Sequence, residues 1–199
     1  MLVSIIRPLV LPALAAWYDA AEADQLFGRA SELARRERPS LPPQPGWGGV
    51  LMVRLASLTR CFHEALLESG VTPEQAAERT TAATRAAYRV MSRVPGLLSK
   101  LAGPDPTRRV RAATNVFRRF PFGPPSYVMG DVDDGERTVA FDVLRCPVAD
   151  YFDAAGLNDL CARSFCGLDY ELAAEWGATL QRETTLARGD GSCSFRWRS

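Results

Sequence analysis

Five cysteines and one acid set the chemical question. Cys146, Cys161, Cys166 and Cys193 crowd the last third of the chain, and Cys61 stands apart. Cys166 precedes Asp169 by three residues, so on a helix the two side chains share a face. A thiolate in such a place is a nucleophile when nearby positive charge lowers its pKa, and the carboxyl group can carry the proton. Arg182 and Arg145 offer guanidinium forks for a substrate carboxylate, with Glu183 as a further polar contact. A metal is the competing chemistry. Cys146, Cys166 and Cys193 come from separate stretches, Asp169 or Glu183 would be a fourth ligand, and a zinc ion with an open position would activate water. No Cys-x-x-Cys spacing is present, and Cys161 and Cys166 are too far apart for a zinc knuckle.

Other residue types have plainer readings. Free cysteines often act as small core hydrophobes, and Cys61 and Cys161 are expected to pack. His63 is the only histidine and lies far from the cysteine-rich region, which favours a structural role. Arg108, Arg109, Arg111, Arg118 and Arg119 fall within one predicted helix without interleaved aromatics, a solvated face and not a nucleic-acid surface. Gly46, Gly48 and Gly49 lack the following Lys and Ser/Thr of a phosphate loop. Trp47, Trp176, Phe120 and Phe122 are expected to anchor core or loops.

These residues need a scaffold, and 199 residues with 47% hydrophobic side chains can build one without staples. We expect a single domain over 1–199, with a helical part at 1–120 and a sheet and cysteine-rich part at 121–199. A net charge of +1 gives no field for nucleic acid or an anionic membrane. Lys100 is the only lysine, as a GC-rich bacterial genome would encode. An odd cysteine count suits a reducing cytoplasm better than a disulfide framework. The apolar start, 1–16, could imitate a secretion signal, but Arg7, Pro8 and Pro12 interrupt it, so a buried arm or first helix is expected. No run reaches the ~20 apolar residues of a membrane span. The expected partners are a small-molecule substrate and at most a second copy of the chain.

Periodicity places helices at 13–38 and 50–69. A third starts at the Thr72 cap, with Pro73 and Gln75 behind it, and ends at Val94 before Pro95. Short helical pieces follow at 96–102 and 107–120. Strands at 126–131 and 137–145 flank the turn from Asp133 to Glu136, helical text follows at 147–155, and 157–176 reads as helical or irregular. Two last strands, 179–187 and 192–197, flank Arg188 to Gly191. The fold class is α+β: an N-terminal helical layer packed on a C-terminal four-stranded antiparallel sheet, with a helical insertion carrying most of the cysteines.

From Arg145 onward the chain carries Arg145-Cys146-Pro147 with Tyr151 behind it, Gly156-Leu157 leading to Cys166 and Asp169, then Arg182, Thr185-Leu186 and Gly189-Asp190 with Cys193-Ser194-Phe195. In these ordered features it resembles the L-2-amino-thiazoline-4-carboxylic acid hydrolase family. The helical first half shows only similar organisation. The resemblance implies water addition across an electrophilic C=N carbon of a small ring, with Cys166, Asp169, Cys193 and Cys146 at the site, in the setting of small natural-product biosynthesis. The ending with Gly189-Asp190, Cys193 and Phe195, preceded by Glu183 and Cys166, also resembles vinyl-4-reductase-type ligand-binding domains, which can hold zinc. That likeness implies a non-catalytic small-molecule sensor as the alternative, with a thiolate and a metal-bound water both open as mechanisms.

Overall fold

The structure, a computed structural model, describes residues 2–199. It is α+β, with helices first and a four-stranded antiparallel sheet at the end. Helix α1 (Leu2–Ala13) takes up the apolar start, with Pro8 and Pro12 inside it. Helix α2 (Ala20–Glu37) begins later than the periodicity suggested. Asp19 accepts from the Ala21 and Glu22 amides while Glu22 accepts from the Asp19 amide, so a reciprocal cap fixes the start there. Helix α3 spans Trp47–Glu68 and α4 spans Pro73–Ser99. The proline did not stop α4. Pro95 is buried within it, forgoing one amide bond, and the adjacent Gly96 leaves room for the Trp176 indole. Helix α5 (Pro106–Arg119) follows under an Asp105 cap. Among the described residues no helix is long and apolar enough to cross a membrane.

The sheet runs β1 (Val128–Asp131), β2 (Thr138–Arg145), β4 (Cys193–Arg198) and β3 (Thr179–Gln181) in spatial order, every pair antiparallel. Between β2 and β3 lie α6 (Pro147–Ala154), α7 (Asn158–Cys161), a π-helical turn over Ala162–Cys166 and α8 (Leu168–Glu175). Residues 182–187 do not extend β3, as their alternation suggested. Instead the Ser194 hydroxyl accepts from the Glu183 and Thr184 amides and the Asp190 carboxylate accepts from the Thr185 amide, so the chain leaves the sheet as a pinned turn. Gly189 closes that turn at φ +87°, a conformation a side chain would strain.

Val139, Phe141 and Val143 of β2 alternate toward the helices, paired in register with Trp197, Phe195 and Cys193 of β4. This inner sheet face packs with α3, α4, α5 and the α6–α8 segment into one core; a second apolar cluster joins α1, α2 and parts of α3 and α4. Helix α3 contributes to both, Met52 and Val53 to the first, Leu58 and Phe62 to the second.

A polar junction fastens α6 to α2 and α3. The Tyr151 hydroxyl donates to Glu37 at 2.8 Å and accepts from Arg60 Nε at 2.8 Å, while Ser57 donates to the same carboxylate. Burial opposes the Glu37 charge, but the Ser57, Tyr151 and Arg60 contacts outweigh it and hold its pKa below the usual carboxylate value. The family-motif tyrosine is therefore a structural tie. Tyr151→Phe should cost about 1–2 kcal/mol in urea unfolding, the loss of hydrogen bonds to charged groups.

Candidate functional site

The site forms where the insertion crosses the open face of the sheet. Phe141, Val143, Cys193, Phe195 and Trp197 floor a cavity of about 100 Å³. Met52, Tyr88, Phe117 and Arg118 roof it from α3, α4 and α5, and Cys146, Cys161, Cys166 and Asp169 close one side. Four of the five thiols thus meet in one place. Cys146 caps α6 after β2 ends, Cys161 and Cys166 bracket the π-helical turn, and Cys193 opens β4. In that turn the Gly167 amide donates to the Ala162 carbonyl at 2.7 Å. The extra residue per turn shifts the side chains relative to an ordinary helix, a distortion that often marks functional sites.

Asp169 and Arg182 form an ion pair against this wall. Arg182 Nη1 lies 2.7 Å from Asp169 Oδ2, with side chains only 5% and 18% exposed, and Nη2 donates to the Cys166 carbonyl at 2.5 Å. The guanidinium is held between the Tyr170 and Phe195 rings, 5.0 and 5.1 Å from their centroids. Burial lifts the Asp169 pKa above the usual carboxylate value even with Arg182 in contact. Arg182, expected as a substrate anchor, lines the cavity with two of its N–H groups already engaged, by Asp169 and by the Cys166 carbonyl.

Thr185 sits between two sulfurs. Its hydroxyl donates to Cys166 Sγ at 3.7 Å and lies 3.4 Å from Cys193 Sγ, which also accepts from the Leu186 amide at 3.2 Å. Cys166 is the one thiol of the five held below the ordinary thiol pKa. The neighbouring Cys161 thiol favours its charged form most, opposed by burial and by the Asp169 charge; Arg182 and the Thr185 hydroxyl add to the lowering. Cys161 is pushed far up by that same pairing and by burial, and burial takes Cys146 up to about 12 and raises Cys193 above its ordinary value. Cys61, far from the cavity beside Arg60 and Glu37, is also pushed up to about 12, chiefly by burial. Thr185→Val removes a hydroxyl that favours the thiolate while keeping the shape. The pH midpoint of Cys166 alkylation should move upward in that variant, with that of Cys193 rising too and labelling at Cys61, Cys146 and Cys161 unchanged.

Several expectations are corrected by this geometry. Arg145 is exposed at the end of β2, 3.7 Å from Asp150, and does not line the cavity; Glu183 is exposed on the pinned turn. Cys161, expected to be packing alone, is a cavity residue. Cys146, Cys166 and Cys193 face the same space, but among the described residues no three His, Cys, Asp or Glu side chains are placed to hold a metal ion, so the donor set does not fit zinc. His63 lies outside the cavity on α3, its pKa lowered by burial.

Two phenols were missed. Tyr88 of α4 and Tyr127 before β1 both line the cavity. Burial pushes each well above the ordinary phenol value, reinforced at Tyr88 by Asp169, Cys166 and Cys146 and at Tyr127 by Cys146. Both therefore stay protonated donors at neutral pH. Nothing in their local sequence separates them from core tyrosines; only the cavity does.

A family model for L-2-amino-thiazoline-4-carboxylic acid hydrolase matches residues 55–197, well over half of the chain. The chain belongs to that family. The match starts inside α3, after Met52, and takes in all of α4 and α5, so the likeness is not confined to the sequence after Arg145. No curated protein matches this family member at a significant level. The solved structure of the Fe(II) unliganded H-NOX protein from K. algicida is similar, at 8% identity over 98% of this chain and 94% of that one, with a TM-score of 0.44. That likeness is too distant to carry a functional reading.

Proposed function

We propose that this family member hydrolyses a C–N bond in a small cyclic amidine or thiazoline-type molecule, with the Cys166 thiolate as nucleophile. One observation carries the reading: the single thiol held below its ordinary pKa stands in the cavity beside a buried acid, a guanidinium and two protonated phenols. The Cys166 sulfur adds to the C=N carbon and forms an S–C bond, while the ring nitrogen takes one proton from Tyr88 or from the protonated fraction of Asp169. The amino substituent on that carbon then passes a proton to the ring nitrogen and becomes C=N, and the ring C–N bond breaks as the nitrogen leaves as an amine. Water adds across the new C=N, one of its protons going to that nitrogen; the other returns to the donor as C=O forms and the S–C bond breaks to release the Cys166 thiolate. Burial supports the proton step, since it keeps the phenol neutral and raises the carboxyl pKa toward the working range. The reaction class follows the family, and the thiolate route is favoured over a metal-bound water because the donors do not converge on an ion.

The test is incubation of the full chain with a panel of cyclic amidines and thiazolines, L-2-amino-thiazoline-4-carboxylate among them. The reading expects a product heavier by one water and loss of the ring chromophore. Saturable binding across the panel with no water added would instead support a non-catalytic ligand-binding module, a reading favoured by the largely aromatic lining.

A further inference from the structure

The cavity surface says more about the ligand than the reaction class does. A ring of aromatic contacts runs around it: Phe141 stacks on Phe195 at 5.1 Å, Phe195 on Trp197 at 6.0 Å, Trp197 on Trp176 at 5.5 Å, and Trp176 meets Phe117 edge-on at 5.3 Å. Flat faces of this kind favour a planar ring over an aliphatic or strongly hydrated group. The volume, about 100 Å³, is smaller than the ~150 Å³ cavity known to hold benzene, so it has room for no more than one ring.

Charge narrows the choice further. Among the described lining residues Asp169 is the sole carboxylate, and its Oδ2 is held by Arg182. The other cation of the lining is Arg118, stacked 4.7 Å over the Phe141 ring. Its partner Asp131 is 81% exposed, and an ion pair so open to water contributes little and exchanges readily. Arg118 therefore remains available to an anion in a way that Arg182 does not. Finally, Trp197 lines the cavity as a residue only 4% exposed, and its buried Nε1 has no hydrogen-bond partner. Buried donors of this kind normally find an acceptor.

We propose that Arg118 anchors the carboxylate of a planar ring bound in this cavity, with the ring against Phe141, Phe195 and Trp197 and a carbonyl or ring nitrogen of it on Trp197 Nε1. The assignment rests on the hydrolase reading only for which bond of that ring breaks.

Titration of the tryptophan fluorescence of the full chain with benzoate, benzamide and L-2-amino-thiazoline-4-carboxylate tests it, since Trp176 and Trp197 lie on the cavity. Benzoate and the thiazoline carboxylate should both saturate at lower concentration than benzamide. Arg118→Gln should weaken benzoate by about 10-fold or more and leave benzamide within about 2-fold, the loss of one charge-assisted contact. Arg118→Lys, which keeps the charge and guards against a folding defect, should retain most of the benzoate affinity. Benzamide that binds as tightly as benzoate, or an Arg118→Gln variant that weakens benzoate and benzamide alike, overturns the proposal. The two readings fail separately. Ring opening of the thiazoline without benzoate binding sinks the Arg118 assignment and keeps the hydrolase; benzoate binding that depends on Arg118, with no ring opened anywhere, does the reverse.

Discussion

Cys166→Ala is expected to remove about 10³-fold or more of kcat/KM on any ring the protein opens, while urea unfolding shifts by no more than about 1 kcal/mol. The first figure corresponds to about 4 kcal/mol of transition-state stabilisation, what loss of a covalent route costs when positioning and proton donors survive. The second follows from the small volume of a partly exposed thiol next to a cavity that already holds space. Cys193→Ala and Cys146→Ala should cost far less activity, because burial keeps both thiols protonated. A Cys166→Ala protein that is folded and fully active would remove the nucleophile and leave hydrolysis to some other group.

Asp169→Ala is expected to have the largest effect on stability, about 3–5 kcal/mol, or on the order of 10 °C in melting temperature for a chain of this size. Arg182 is almost fully buried between two rings, and with its counter-ion gone the charge has no relief short of opening the structure. The pair itself need not be stabilising. Replacing both members by apolar residues, Asp169→Leu with Arg182→Met, should recover much of the loss, because the cost lies in an unpaired buried charge. The two single changes should also move Cys166 in opposite directions. Asp169 opposes its thiolate and Arg182 favours it, so alkylation in Asp169→Asn should occur at lower pH than in wild type and in Arg182→Met at higher pH.

Much of the fold could be read in the residues. The Thr72 cap with Gln75, the alternation through β2 and the clustering of cysteines after it each carry a local physical cause, and each sits where that cause puts it. Where local rules failed, a distant contact had won. Pro95 was read as a stop because it cannot donate, but the packing of Gly96 against Trp176 keeps the helix running. Residues 182–187 alternate like a strand, yet Ser194 and Asp190 claim their amides.

The site was legible as a group of sulfurs near an acid and not as an electrostatic arrangement. Cys166 and Asp169 were visible as a pair, but the pairing of Asp169 with Arg182 depends on the turn after β3 folding back over α8. Arg145 looked like an anchor by its neighbourhood to Cys146; alternation from Val143 would carry it inward, but it stands exposed where β2 ends, at the register shift with β1 between Val128 and Met129. Tyr88, Tyr127 and Arg118 carry no signal of their own, since their roles exist only where α4, α5 and the sheet enclose common space.

The central claim is that the cavity holds Cys166, alone among five thiols, below its ordinary pKa. Alkylation of the native protein by iodoacetamide across a pH series, read cysteine by cysteine by peptide mass spectrometry, tests it most directly. The account predicts that Cys166 is modified first, with a midpoint below that of an ordinary thiol, while Cys61, Cys146, Cys161 and Cys193 stay largely unmodified until the protein is denatured. Uniform labelling of all five in the native state, or a Cys166 midpoint at or above the ordinary thiol value, would contradict it.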